Sequence, residues 1–495
     1  MMRPPEGAAA DPEKVAEMDV MRTKPARPAP VVHPDGLPVP RRYGAMLTMS
    51  IAIAMSVLDI AIANTALPTI AADLQASPAA SVWVVNAYQL ALVISLLPLA
   101  ALGEIIGYRT IYIGGLVLFT IASVVCAMAW SLPSLTAARV LQGFGASGIM
   151  SVNAALIRFI YPNRLLGRGI GFNTLIVAIF SALGPTVAAG ILAVASWQWL
   201  FAINLPLGVI ALAVALPTLP HTRRSGHRFD AVSAVLNAGA FGLLIIAIGE
   251  AAHEASPLEV GLELAAALVF GGLLLRRQAA HPAPMLPLDL FRRPIFALSA
   301  VTAACSFATQ GLAFVALPFY FQTVLGRTEV ETGLLMTPWP LVVAVMAPIA
   351  GRLSDRYAAG ILGGIGLAIL CAGMVLMALM PAQPSVFDIC WRMALCGWGF
   401  GFFQAPNQKA LLAAAPPHRA GGASGIVAQA RLLGQTVGAA LVALCFSLAG
   451  TQGGPALGLA VGAGFAGLAS IASFLRLMHD DPSRRPQPVD SLDLH

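Results

Sequence analysis

Leu58-Asp59-Ile60-Ala61-Ile62-Ala63-Asn64-Thr65-Ala66-Leu67-Pro68 ends the first long apolar stretch of the chain and places a carboxylate inside it. A charge at bilayer depth costs on the order of 3 kcal/mol on insertion scales. If the stretch spans a membrane, Asp59 therefore faces a cavity, a partner or a proton path. Composition supports the span. The chain is 58% hydrophobic and 11% charged, with a mean hydropathy of +0.79, against roughly 25% charged residues in a soluble domain. Apolar runs of about 20 residues recur along the chain, the length a helix needs to cross ~30 Å of hydrocarbon. The runs are continuous rather than alternating, which excludes a membrane β-barrel.

The net charge of +6 is spread between apolar spans and forms no basic patch, so no nucleic-acid partner is expected. Cys126, Cys305, Cys371, Cys390, Cys396 and Cys445 fall in or beside spans without paired spacing. They read as small packing residues, neither disulfides nor metal ligands. There is no Gly-x-x-x-x-Gly-Lys-Ser/Thr loop and no soluble domain to host one, so ATP-driven transport by this chain alone is not expected. Residues 1–40 are rich in Pro, Ala and charge without periodicity, and read as a disordered tail with no signal-peptide core. Residues 479–495 read the same way.

Hydropathy and turn signals divide the rest into about fourteen spans. They are Ala45–Leu67, Ser81–Gly103, Tyr108–Ala129, Pro133–Ile157, Gly169–Val194, Trp199–Leu219, Ala231–Ile248, Leu258–Leu275, Ile295–Pro318, Gly333–Leu353, Ile361–Met380, Ile389–Leu412, Ala423–Leu448 and Ala456–Leu475. Alternate loops hold Arg41/Arg42, Arg109, Arg158/Arg164/Arg168, Arg223/Arg224/Arg228, Arg276/Arg277/Arg292/Arg293, Arg352/Arg356, Lys409/Arg419 and Arg476/Arg484/Arg485. The loops between them hold almost none, Arg327 being the exception. The positive side is expected to be cytoplasmic, with both termini inside.

Features recur at an offset of about 250 residues, as in transporters built from repeated bundles. Ala66-Leu67-Pro68 matches Ala316-Leu317-Pro318. Ala100-Ala101-Leu102-Gly103-Glu104 matches Gly351-Arg352-Leu353-Ser354-Asp355. Arg139 before Gly143-Phe144-Gly145 matches Arg392 before Gly397-Trp398-Gly399. Arg168 and Arg419 enter spans five and thirteen. The surplus of about 75 residues between the copies is two further spans, so the expected architecture is six, plus two, plus six helices. The domain reading is residues 41–220 and 294–478 as bundles, with 221–293 as two extra helices.

At this point the chain resembles the major facilitator superfamily, in particular its fourteen-helix drug:proton antiporter branch (EmrB/QacA type). The resemblance covers Arg41 to Leu477. It rests on Leu58-Asp59 through Pro68, on Arg139-Val140-Leu141-Gln142-Gly143-Phe144-Gly145-Ala146, and on Gly184-Pro185, which resembles the antiporter motif. It also rests on Trp197-Gln198-Trp199 with Phe201, Asn204, Pro206 and Gly208, and on Arg228-Phe229-Asp230. The chain departs from the family's Gly-x-Leu-Ala-Asp-Arg-x-Gly-Arg loop at Ala100, Glu104 and Ile105, keeping Gly107 and Arg109. The second copy, Gly351 to Arg356, fits better. The antiporter motif's downstream glycine pair is Ala188-Ala189, with Gly190 following. The resemblance implies an all-α polytopic fold and a secondary transporter, not an enzyme.

Asp59 reads as a proton- or cation-handling group; the plainer alternative is a structural carboxylate capped by a neighbouring helix. Arg139, roughly 10 Å down span four at 1.5 Å per residue, cannot carry protons and would hold a carboxylate or carbonyl. Glu104, Arg109, Asp355 and Arg356 read as gate latches or as solvated loop charges. Gly184 and Pro185 give a kink and a close helix contact, for sealing or merely for packing. Asn86, Gln89, Gln310, Gln322 and Arg431 could line a substrate cavity, or act as interhelical hydrogen-bond glue. Arg392 beside Asp388 reads as a surface ion pair.

The expected function is proton-coupled efflux of small lipophilic compounds across a bacterial inner membrane by alternating access. A metabolite transporter, or a receptor on a transporter fold, is the alternative. The expected partners are a small-molecule substrate, protons and lipid; no cofactor and no metal is expected, and the chain reads as a monomer. Asp59 reads as the only deep acid, which weakens the inference that the cargo is a cation.

Overall fold

The computed structural model describes residues 36–162, 165–222, 229–251, 256–279, 288–415 and 420–479. Arg164, Arg223, Arg224, Arg228, Arg419 and nearly all of both tails lie outside the described residues. The described residues are helices joined by short connections, with no strand among them. In lipid this follows from the backbone, because a helix satisfies its own N–H and C=O groups within one segment.

The helices are α1 Val39–Asp73, α2 Trp83–Ile106, α3 Tyr108–Ala127, α4 Leu132–Ile160, α5 Leu166–Leu192, α6 Asn204–Thr218, α7 Ala231–Glu250 and α8 Pro257–Ala279. They continue as α9 Pro294–Phe319, α10 Glu329–Leu353, α11 Ala359–Ala378 and α12 Val386–Ala413. A last helical run, Ala420–Leu475, contains Gly450 at φ 68°, ψ −175°. That backbone geometry suits glycine and ends one rod and starts the next; α13 is residues 420–449 and α14 is 451–475. Twelve described stretches are long and apolar enough to cross a membrane, the last of them being α13 and α14 together. α12 is 28 residues long but carries Asp388, Arg392 and Lys409, and is not one of the twelve.

Boundaries differ from the hydropathy reading where polar residues continue a helix. α1 runs past Leu67 and through Pro68 to Asp73. No loop separates α13 from α14. Sequence-local caps start several helices. Ser131 and Ser134 form a capping box on α4, as Thr328 and Glu331 do on α10, while Ser385 caps α12.

The contact pattern repeats along the chain. α1 packs on α5 and α6, and α4 on α2 and α3. Eight helices later, α9 packs on the α13–α14 run, and α12 on α10 and α11. Glycines set the close approaches in both copies. A Cβ on Gly143 would lie 2.4 Å from the Tyr88 carbonyl oxygen, and one on Gly397 would lie 2.4 Å from that of Trp339. A Cβ on Gly145 would lie 2.4 Å from the Phe119 backbone nitrogen, and one on Gly399 would lie 2.4 Å from that of Leu370. Small residues at these crossings let helix backbones touch, the usual basis of packing in lipid.

α7 and α8 pack on each other, and α7 also lies against α2 and α13. Asn237 Nδ2 donates to the Ile94 carbonyl at 3.0 Å. Leu236 joins a cluster with Leu97, Phe296, Leu411 and Ile426. Asp230 caps α7 by accepting from the Ser233 amide at 3.1 Å and hydroxyl at 2.6 Å. It also pairs with Arg277 of α8 at 2.9 Å. Partial burial opposes the charged form, but hydrogen bonds from Arg277 and Ser233 outweigh it and hold the carboxyl at about 2. The folded value lies below that of the unfolded chain, near ~3.9. Asp230 therefore stabilises the fold above the unfolded value, and the contribution is lost as pH falls toward the folded one. Thermal denaturation in detergent should show Asp230→Asn melting below wild type at pH 7, with the gap narrowing below about pH 4.

Candidate functional site

Helix α1 brings Asp59 to a point where α2, α3, α4 and α6 converge. Asp59 and Arg139 are 2% and 1% exposed and form an ion pair between Oδ2 and Nη1. Every further bond around them comes from the same bundle. Gln142 Nε2 donates to Asp59 Oδ1 at 2.8 Å, and Asn204 Nδ2 donates to the same oxygen at 3.3 Å. Arg139 Nη1 donates to Gln142 Oε1 at 2.6 Å, and its Nε to the Val84 carbonyl at 3.0 Å. The guanidinium lies over the Tyr88 ring at 4.2 Å and near the Phe201 ring at 5.5 Å. Gln142 is fixed in turn by a 2.9 Å bond to the Ser123 hydroxyl.

Burying two charges costs several kcal/mol per ion, and the pair survives only if geometry and extra hydrogen bonds offset that cost. Here the carboxylate has acceptors filled by α4 and α6, and the guanidinium has a carbonyl, an amide oxygen and aromatic faces. The glycines of α4 make this possible: Gly143 and Gly145 let the helix approach α2 and α3, carrying Arg139 beneath Tyr88.

The sixth-helix motif is explained by the same centre. Trp197 Nε1 donates to Asp73 Oδ2 at 2.7 Å, Phe201 faces Arg139 and Asn204 reaches Asp59. A Cβ on Gly208 would lie 2.1 Å from Thr120 Oγ1. These residues recur at helical spacing along one face. The sequence reading did not single out Gln142, Asn204 or Tyr88 as partners of Asp59. A signal existed for Gln142, one turn beyond Arg139 on the same face of α4.

Among its described residues the second copy has no such centre. Thr309 occupies the place corresponding to Asp59 and bonds the Gly462 carbonyl at 3.0 Å, while Gln310 accepts from Gln435 Nε2 at 2.7 Å. Arg392 lies near the start of α12, bonded to Asp388 Oδ1 at 3.1 Å and to the Leu376 carbonyl. Asp59 is not the only acid within a long apolar helix, which corrects the sequence reading. Glu263, about 9 Å into α8 at 1.5 Å per residue, is partly buried. Its Oε2 has no hydrogen-bond partner among the described residues.

The structure keeps the gate candidates apart. Glu104 is exposed and has no ion pair among the described residues. Arg109 instead caps the end of α6, donating to the Leu216 and Leu219 carbonyls at 2.5 and 3.1 Å. Arg41 donates to Thr218 there at 3.1 Å. Asp355 pairs with Lys409 of α12, and Arg356 is exposed. Gly184 approaches Ala61 of α1, where a Cβ would lie 2.3 Å from the alanine methyl. The Pro185 carbonyl lies 2.4 Å from a Cβ placed on Gly333 of α10, and Thr186 and Thr337 share a 2.8 Å hydroxyl bond beside it.

Asn86 and Gln89 are buried, each with a side-chain oxygen unpartnered among the described residues. Gln322 sits in the π-helical stretch Tyr320–Val324 beyond α9, away from the others. A cavity of about 700 Å³ opens between α1 and α5, lined by Met46, Met55, Leu58, Arg168, Phe172 and Leu207 among others. None of Asn86, Gln89, Gln310, Gln322 or Arg431 lines it.

The profile described as Major Facilitator Superfamily matches residues 49–439 and 300–491. The chain belongs to the major facilitator superfamily. Within the superfamily it is 57% identical over 426 residues to the uncharacterized transporter YebQ of Escherichia coli (strain K12), covering 86% of this chain and 93% of that one. It is 30% identical to the riboflavin transporter RibZ of Clostridioides difficile (strain 630), covering 82% and 89% of the two chains. It is 31% identical to the multidrug resistance protein Stp of Mycobacterium tuberculosis, covering 80% and 74%. The fold is shared with a bacterial homologue of the human lysosomal transporter Spinster, at a TM-score of 0.66 and 15% identity over 89% of this chain and 97% of that one. The protein is thus a multi-pass membrane transporter of the superfamily and not an enzyme.

Removing one partner from the buried pair strands the other. Arg139→Gln should destabilise the protein by roughly 3–5 kcal/mol. The double variant Asp59→Asn/Arg139→Gln should recover a large part of that loss, as a double-mutant cycle on chemical denaturation in detergent would measure.

Proposed function

We propose that this transporter is a proton-coupled exporter of small lipophilic compounds, of the fourteen-helix drug:proton antiporter type, working by alternating access. The observation that carries the reading is the buried Asp59–Arg139 pair, which is confined to the first helical repeat. A proton on Asp59 cancels the charge that Arg139 balances. The guanidinium then keeps the Val84 carbonyl, Gln142 Oε1 and the Tyr88 face as partners. The pair can therefore loosen without leaving Arg139 bare, and a neutral Asp59 lowers the cost of moving the helices that hold it. The proton is taken up from outside and released inward as substrate leaves. The multidrug resistance relative supports a drug-transport reading.

In this reading residues 41–220 and 294–478 are the two rocking bundles, with the extra pair in 221–293. The basic loops and both tails are cytoplasmic, the host membrane is the bacterial inner membrane, and the working unit is a monomer. The contact of Gly184-Pro185-Thr186 with Gly333 and Thr337 seals the half distant from the basic loops, and must part when that side opens. Glu104, Arg109, Asp355 and Arg356 belong to the gate on the basic side, and Asn86, Gln89, Gln310, Gln322 and Arg431 to the substrate path. The riboflavin-transporter relative favours a second reading, proton-coupled or facilitated movement of a metabolite.

Oriented vesicles with an imposed pH gradient separate these readings. Gradient-driven efflux that is lost in Asp59→Asn, with normal insertion, is the expected result. Unimpaired coupled efflux by that variant would remove Asp59 from the coupling role. Gradient-independent flux of a metabolite by wild type would favour the second reading.

A further inference from the structure

Arg431 is an arginine inside the apolar run of α13 that has no counter-charge among the described residues. It lies about 16 Å along α13 from Ala420, at 1.5 Å per residue, near the middle of the helix. Its Nε is buried and finds no acceptor, and it forms no ion pair or hydrogen bond among the described residues. Arg431 itself is half-buried. The two fully buried arginines among the described residues are served differently. Arg139 has Asp59. Arg476 reaches Asn407 Oδ1 at 2.7 Å and the Ser299 hydroxyl at 3.0 Å. Arg431 has only the face of Phe307, 5.5 Å from its guanidinium carbon. A cation–π contact contributes about 0.5–2 kcal/mol depending on desolvation, and it fills none of the guanidinium's N–H positions. Arginine cannot escape by releasing its proton.

The surroundings describe what would complete it. Phe307 packs edge-on to Phe400 at 5.4 Å, and Phe400 continues to Trp339 at 6.5 Å. Trp339 Nε1 is a second buried donor without an acceptor. An aromatic bed thus links two donors unsatisfied among the described residues, one of them charged. One turn along α13, Gln435 already spends its amide on Gln310, so it does not supply the missing acceptor.

We propose that Arg431 is the anchor for an organic anion, a single carboxylate-like group on an aromatic or apolar body lying along Phe307. The inference rests on the chain being a transporter, but on neither its direction nor its proton coupling. Guanidinium and carboxylate pair through parallel N–H···O bonds, which fixes the ligand's orientation as well as its charge.

The test uses purified full-length protein in nanodiscs and three probes of one shape: 2-naphthoate, 2-naphthamide and 2-naphthylmethylamine. Saturable binding is read by calorimetry. The acid should bind at least about 10-fold more tightly than the amide, the scale of a hydrogen bond to a charged group. Arg431→Gln should bring the acid to the level of the amide, while Arg431→Lys keeps a preference for the acid. Equal affinity for acid and amide in wild type, tighter binding of the amine, no saturable binding of the acid, or an unchanged preference in Arg431→Gln would each overturn the proposal. The wild-type comparison decides the matter if the glutamine variant does not fold. Binding of the acid without its gradient-driven efflux would leave the anion site standing and count against the export reading.

Discussion

A carboxylate and a guanidinium can share the dry interior of a helical bundle only if the bundle also fills their remaining hydrogen-bonding positions. That requirement organises the first half of this molecule. α4 must come close enough to α2 and α3 to deliver Arg139 and Gln142, so Gly143 and Gly145 sit at the crossings. α6 and the short turn before it must present Asn204 and Phe201 toward the pair, so these residues lie three apart in sequence. The ion pair is thus less a contact between two residues than a constraint on five helices at once.

The second half inherits the packing without the charges. Gly397 and Gly399 meet Trp339 and Leu370 as Gly143 and Gly145 meet Tyr88 and Phe119. Yet Thr309 and Gln310 stand where the carboxylate would be, and Arg392 pairs with Asp388 near the start of α12. The repeat therefore preserves backbone approach, which any membrane bundle needs, and lets polar chemistry diverge. The unpaired Arg431 belongs to this divergence.

The sequence made the helices legible and marked Asp59 and Arg139 one at a time without pairing them, because apolar runs near 20 residues and charges within them are expensive enough to be informative singly. What it concealed depends on three-dimensional neighbours. Asn204 looked like part of a motif, and only packing turns it toward Asp59. Arg109 looked like a gate residue beside Glu104, yet its donors end on the carbonyls of α6. Glu263 escaped notice because it lies near the start of its span, where a charge is easily taken for interfacial. The junction of α13 and α14 was read as a loop, because hydropathy cannot distinguish one from a continuous helix bent at a single glycine.

The placement of α7 makes the two sides of the molecule unequal. The repeats meet where α5 meets α10, where α2 meets the α13–α14 run and where α1 meets α9. α7 lies along the second, with α8 outside it, while no inserted helix covers the first among the described residues. The added helices thus break the correspondence between the contacts of the two copies. A compound dissolved in the lipid meets bare helices of both repeats on one flank and an added wall on the other.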